Sequence, residues 1–64
     1  MKFKAGDLVH RDWPDGAFME GIITWTTSLG FTIRLTKQKG FKYNDFTTVN
    51  PNMWRLAKKV IFEL

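Results

Sequence analysis

The chain predicts a small all-β domain, and three features carry that prediction: a strictly alternating run in mid-sequence, turn signals at short regular intervals, and a length that allows one core. In Phe31-Thr32-Ile33-Arg34-Leu35-Thr36 apolar and polar residues exchange at every step, so Phe31, Ile33 and Leu35 share one face of a strand and Thr32, Arg34 and Thr36 the other. Sixty-four residues bury only about 60% of the surface that the unfolded chain exposes, so one domain is the expectation. The expected core is Val9, Ile23, Ile33 and Leu35, with Phe31 partly buried.

The first strand is expected over 7–13. It ends in Trp13-Pro14-Asp15-Gly16, where proline presets φ and glycine accepts a positive φ. The second, over 18–27, is rich in β-branched and aromatic residues: Ile22, Ile23, Thr24, Trp25, Thr26 and Thr27. Ser28-Leu29-Gly30 then turns the chain into the third strand, over 31–36, and Lys39-Gly40 turns it again. A fourth strand is expected over 41–45 and a fourth break at Asn50-Pro51-Asn52. The C-terminal segment supports two readings. Met53, Leu56, Ala57, Val60, Ile61 and Leu64 fall at helical spacing behind Asn50 and Pro51. A fifth strand over 53–58 would instead cover a sheet edge, and that strand is the favoured expectation.

Composition narrows the function classes. The chain is 44% hydrophobic, 16% aromatic and 25% charged, too apolar for disorder and too charged for a membrane span. With no cysteine and one histidine, His10, there is no disulfide framework and almost no metal-ligand inventory, so neither cofactor nor metal is expected. The start Met-Lys-Phe-Lys lacks the apolar segment of a secretory signal, and no stretch approaches 18 apolar residues. A complete, cytoplasmic small protein without a membrane partner is expected. The net charge of +4 is uneven: residues 1–33 carry three cations and four acids, residues 34–64 seven and two. The second half therefore presents a positive field to a partner, or simply a solvated face that keeps the protein soluble.

The order of signals resembles the SH3-like small β-barrels of the Tudor, agenet and KOW type. The resemblance rests on the opening Phe3-Lys4-Ala5-Gly6-Asp7-Leu8-Val9, the turn Trp13 to Gly16, the entry Phe18-Met19-Glu20-Gly21-Ile22-Ile23, the strand Phe31 to Leu35, and Met53-Trp54-Arg55-Leu56. It implies a five-stranded SH3-like barrel that binds nucleic acid, methylated or proline-rich peptides, or other proteins through loops at one end. The spacing after the opening glycine departs from the KOW pattern, and residues 58–64 have no counterpart.

Catalysis lacks material. One serine (Ser28), one histidine and one tyrosine (Tyr43) supply no set of nucleophile, base and orienting group, so the chain is expected not to be an enzyme and to take no small-molecule substrate. His10-Arg11-Asp12 matches the catalytic-loop tripeptide of kinases by chance, since the chain is far too short for a kinase. His10 is expected to make an ordinary strand hydrogen bond. Asp12, Asp15 and Glu20 are explained by turn chemistry and solubility rather than by an acidic site.

The sharpest constellation interleaves cations with aromatics: Arg34, Lys37, Lys39, Phe41, Lys42 and Tyr43, with Trp54, Arg55, Lys58 and Lys59 beyond. Cations bind phosphates with release of counterions, and exposed rings stack on unpaired bases, so nucleic acid is the first expected partner. Against this, Phe41 and Tyr43 could be core residues and the lysines guards of an exposed strand edge. Three alternatives stand beside it. A protein-binding adaptor or inhibitor, such as a small phage or mobile-element protein acting on a host enzyme, would dock through Trp13, Phe18, Trp25 and Trp54. The resemblance implies a reader of methylated peptide, with a cage of Trp13, Phe18, Tyr43 and Asp45. An oligomeric enzyme with its site between subunits is the third.

Overall fold

Turn chemistry divides the chain into its strands. Gly16 N–H donates to the Trp13 carbonyl at 3.1 Å, Asp15 Oδ1 accepts from Ala17 N–H at 3.0 Å, and Gly16 adopts φ +93°. At the next reversal Thr27 Oγ1 accepts from the N–H groups of both Leu29 and Gly30. The computed structural model, which describes residues 2–58, places five strands between these turns: β1 (Leu8–Asp12), β2 (Phe18–Thr26), β3 (Phe31–Lys39), β4 (Asp45–Thr48) and β5 (Arg55–Lys58). All pairings are antiparallel, in the order β4-β3-β2-β1-β5. The protein is all-β, as expected. No helix among the described residues is long and apolar enough to cross a membrane.

The first two strands end within one residue of expectation, at Leu8–Asp12 and Phe18–Thr26, and three boundaries differ by more. The fourth strand is not 41–45 but Asp45–Thr48. Gly40 at φ +87° turns the chain away from β3. The Gln38 side chain then occupies the position of a neighbouring strand: its Nε2 donates to the Tyr43 carbonyl at 2.7 Å and its Oε1 accepts from Tyr43 N–H at 3.1 Å. The third strand runs to Lys39 rather than Thr36. The segment expected as a strand from Met53 begins with one 3₁₀ turn, Pro51–Met53, and becomes strand at Arg55. The helical alternative is thus limited, up to residue 58, to that turn; its remainder lies outside the described residues.

A flat sheet would hold β4 and β5 about 19 Å apart, four strand spacings of about 4.8 Å. Yet Trp54, the residue before β5, has its ring centroid 5.9 Å from that of Phe46 on β4. The sheet therefore curls until its two edges meet through side chains. No backbone ladder joins β4 to β5 among the described residues, so the expected barrel is a curled sheet closed by aromatics rather than by hydrogen bonds.

Inside the curl lie Phe3, Val9, Met19, Ile23, Phe31, Ile33 and Trp54. Val9, Ile23 and Ile33 are buried as expected. Phe31 is fully rather than partly buried, because Phe3 and Trp54 each meet its ring edge-on at 5.6 Å. Leu35 is only half-buried, at the end of the sheet where β4 no longer flanks β3.

Two bulges distort the β2–β3 pair. Ile23 faces Ile33 while Trp25 faces Thr32, which leaves Thr24 without a partner; Glu20 faces Lys37 while Gly21 faces Leu35, which leaves Thr36 without one. Each extra threonine reaches back to the partner strand, Thr24 Oγ1 to the Thr32 carbonyl and Thr36 Oγ1 to that of Glu20. Beside the second bulge the backbones close in, so that a Cβ on Gly21 would lie 2.4 Å from the Arg34 carbonyl oxygen.

Candidate nucleic-acid interface

A bulge reverses which face the following residues occupy, because the side-chain period of a strand is two. Simple alternation from Ile33 would turn Lys37 and Lys39 inward. The extra residue Thr36 turns them outward, where Lys37 faces Glu20 and Lys39 faces Phe18 across β2. Arg34, before the bulge, is outward already and faces Ile22. The three cations of β3 thus share the convex face. Thr24 does the same for Trp25, which points outward beside Thr32 and is 67% exposed.

The convex face also carries acids, and these are engaged. A row in register crosses the sheet as Arg55, His10, Glu20 and Lys37. His10 Nδ1 lies 3.0 Å from Glu20 Oε1 and His10 Nε2 lies 2.8 Å from Asp12 Oδ1. The ring also stacks on Phe18, with centroids 5.3 Å apart. The His10 hydrogen bond, reinforced by the Arg55 guanidinium 3.6 Å away, holds the Asp12 carboxyl below its ordinary pKa. His10 lies between the two carboxylates, so the three groups do not converge, and no metal-holding cluster of such residues occurs among the described residues.

A depressed carboxylate stabilises the fold above its unfolded pKa and loses that contribution as pH falls through the folded value. The parent is therefore expected to melt above Asp12→Asn at pH 7. Thermal melts at successive pH values should show the gap closing as pH falls below the ordinary aspartate value of 3.8 and through the depressed folded one. A gap that is constant down to pH of about 2 would refute the pairing.

At the end of the sheet formed by the β1–β2 and β3–β4 loops, rings run in sequence. Tyr43 stacks on Phe41 at 5.9 Å, Phe41 tilts against Trp13 at 4.7 Å, and Trp13 meets Trp54 edge-on at 6.4 Å. Tyr43 is half-exposed, and Gly40, Phe41, Lys42 and Tyr43 line an open concavity. Of the residues expected for nucleic acid, Arg34, Lys37 and Lys39 thus lie on the convex face, and Phe41, Lys42 and Tyr43 on the adjoining loop.

The methyl-cage set is dispersed. Phe18 lies on the convex face against His10, and Asp45 Oδ1 pairs with Arg34 Nε at 3.4 Å. The Arg11 guanidinium carbon stands 4.4 Å from the Trp13 ring centroid, so a cation of the chain itself already occupies that ring. Of the aromatics expected for docking, Trp54 is 3% exposed and belongs to the core, Trp13 is half-buried, and Trp25 is open. What alternation alone missed is the outward placement of Lys37, Lys39 and Trp25. Gly21, a glycine in mid-strand beside the second bulge, is the one signal in the sequence that could have revealed part of it. Comparison of the chain with protein-family models, curated proteins and solved structures gives no match in any of the three.

Proposed function

We propose that this chain is a non-enzymatic, cytoplasmic nucleic-acid-binding module of the SH3-like kind, which uses the convex face of β3 and the β3–β4 loop. One observation carries the reading. Each acid among the described residues is engaged within the molecule: Asp7 by Lys4 N–H, Asp12 by His10 and Arg55, Asp15 by Ala17 N–H, Glu20 by His10, and Asp45 by Arg34. No ion pair engages Lys37, Lys39 or Lys42 among the described residues. The acids are thus each held by a partner within the molecule while the three lysines are exposed to solvent, a distribution that leaves these cations available to a polyanion. Arg34 can supply a fourth contact by exchanging Asp45, its partner in the free molecule, for a phosphate, because an exposed ion pair of this kind is weak.

Four phosphate contacts predict a slope of log affinity on log salt of about −3.6 for duplex DNA and about −2.8 for a single strand. Between roughly 50 and 200 mM salt, affinity should fall about 150-fold or about 50-fold respectively. Charge reversal at Lys37 and Lys39 should flatten the slope by about two phosphate equivalents and keep the fold, with a small drop in melting temperature because residue 37 faces Glu20 across β2. Fluorescence polarisation with labelled oligonucleotides measures both, and no binding at the lowest salt would refute the proposal. A protein-docking reading has its own support in Leu29 and Val49, both exposed, at the opposite end of β3. It predicts a partner that is retained from lysate after nuclease treatment.

A further inference from the structure

We infer that Trp25 is the base-stacking platform of this face, which makes unpaired nucleobases, and so single-stranded nucleic acid, the ligand. The inference rests on the nucleic-acid reading above and goes beyond it by naming the strand state and the residue that selects it.

Trp25 is the most exposed of the three tryptophans. Its neighbours across the sheet are Thr32 and then Thr47, whose hydroxyls pair with each other at 2.8 Å. Small side chains therefore flank the indole and leave it open to a ligand. The bulge at Thr24 is what puts this ring on the same face as Arg34, Lys37 and Lys39. From Thr32, opposite Trp25, to Lys39 is seven residues of strand, about 20 Å. Over that span the face offers a flat ring at one end and outward cations along the rest.

Every base has a π-face on which an indole can stack, whereas a phosphate offers the indole nothing. In a duplex those faces are covered by neighbouring base pairs, and exposing one requires unstacking. In a single strand they are free. A protruding indole beside a row of cations thus matches a flexible polyanion with open bases.

The test is polarisation binding of a labelled oligothymidine and of a duplex of equal length to the parent, Trp25→Ala, Trp25→Phe and the Lys37/Lys39 charge-reversal variant. The parent should prefer the single strand. Trp25→Ala should weaken single-strand binding by about 5- to 150-fold, the range typical of one lost stacking contact. The salt slope should stay unchanged, because no charge is removed. Trp25→Phe should keep most of the affinity but lose most of the fluorescence quenching that unlabelled oligothymidine causes in the parent. Trp25→Ala is expected to fold, since the ring is exposed, and the quenching of the parent reports on the indole independently of that variant. Full affinity in Trp25→Ala, together with a flattened slope in the lysine variant, would overturn this inference and leave the nucleic-acid reading intact. A preference for duplex would likewise overturn it, and failure of the parent to bind either oligonucleotide would overturn both.

Discussion

Trp54→Ala should lower the free energy of unfolding by about 3–5 kcal/mol, against a total of about 3–10 kcal/mol for a chain of this length. The indole meets Phe31 at 5.6 Å, Phe46 at 5.9 Å and Trp13 at 6.4 Å. It is thus the body that holds β4 to the start of β5 where no ladder does. Removing it leaves a cavity and also releases the curl. Trp54→Phe should cost less than the lost volume suggests, because it also deletes a buried indole N–H that has no acceptor among the described residues. Denaturant melts of the two variants test this. A Trp54→Ala midpoint close to that of the parent would show that the sheet keeps its curvature without the aromatic contact.

Gly30→Ala should be comparably damaging. A Cβ at Gly30 would stand 1.9 Å from the Thr48 carbonyl oxygen and 2.8 Å from its carbon. Both are backbone atoms, so no flexible side chain can yield, and β4 must separate from the start of β3. Overpacking typically costs 1–3 kcal/mol, and this contact is tighter than most, so about 3 kcal/mol or more is expected. Gly16→Ala is the control. Its Cβ would meet nothing within 4 Å among the described residues but requires φ +93°, which costs about 1–2 kcal/mol from backbone strain alone. Thermal melts that rank Gly16→Ala as the more harmful would contradict the close approach of β3 and β4.

The strands written in local chemistry were legible in the sequence. Alternation placed Ile33 inward because β3 is flanked there on both sides, and Pro14 to Gly16 turned the chain because proline and glycine restrict their own backbones. What depended on distant partners was not legible. The run 41–45 has strand-like residues, but the Gln38 amide takes the hydrogen bonds that a strand neighbour would have made. The candidate site was half legible. Its cations could be listed, yet whether they shared a face depended on Thr24 and Thr36, two threonines that resemble any others in a β-run. Arg11 over Trp13 was hidden for the same reason, since the contact depends on how the chain turns after β1.

The first and last strands lie side by side, and this bears on the order in which the molecule assembles. Each of the three hairpins closes a short local loop, whereas Val9 meets Leu56 across most of the chain. Loop-closure entropy grows with the logarithm of length, so that pairing costs about 2 kcal/mol more than a hairpin before any contact rewards it. The four-strand meander can therefore form by successive local steps, and docking of β5 with Trp54 is expected to come last. Interactions absent from the transition state act on unfolding rather than on folding. Substitutions in β5 or at Trp54 are thus expected to speed unfolding more than they slow folding, which stopped-flow kinetics would measure.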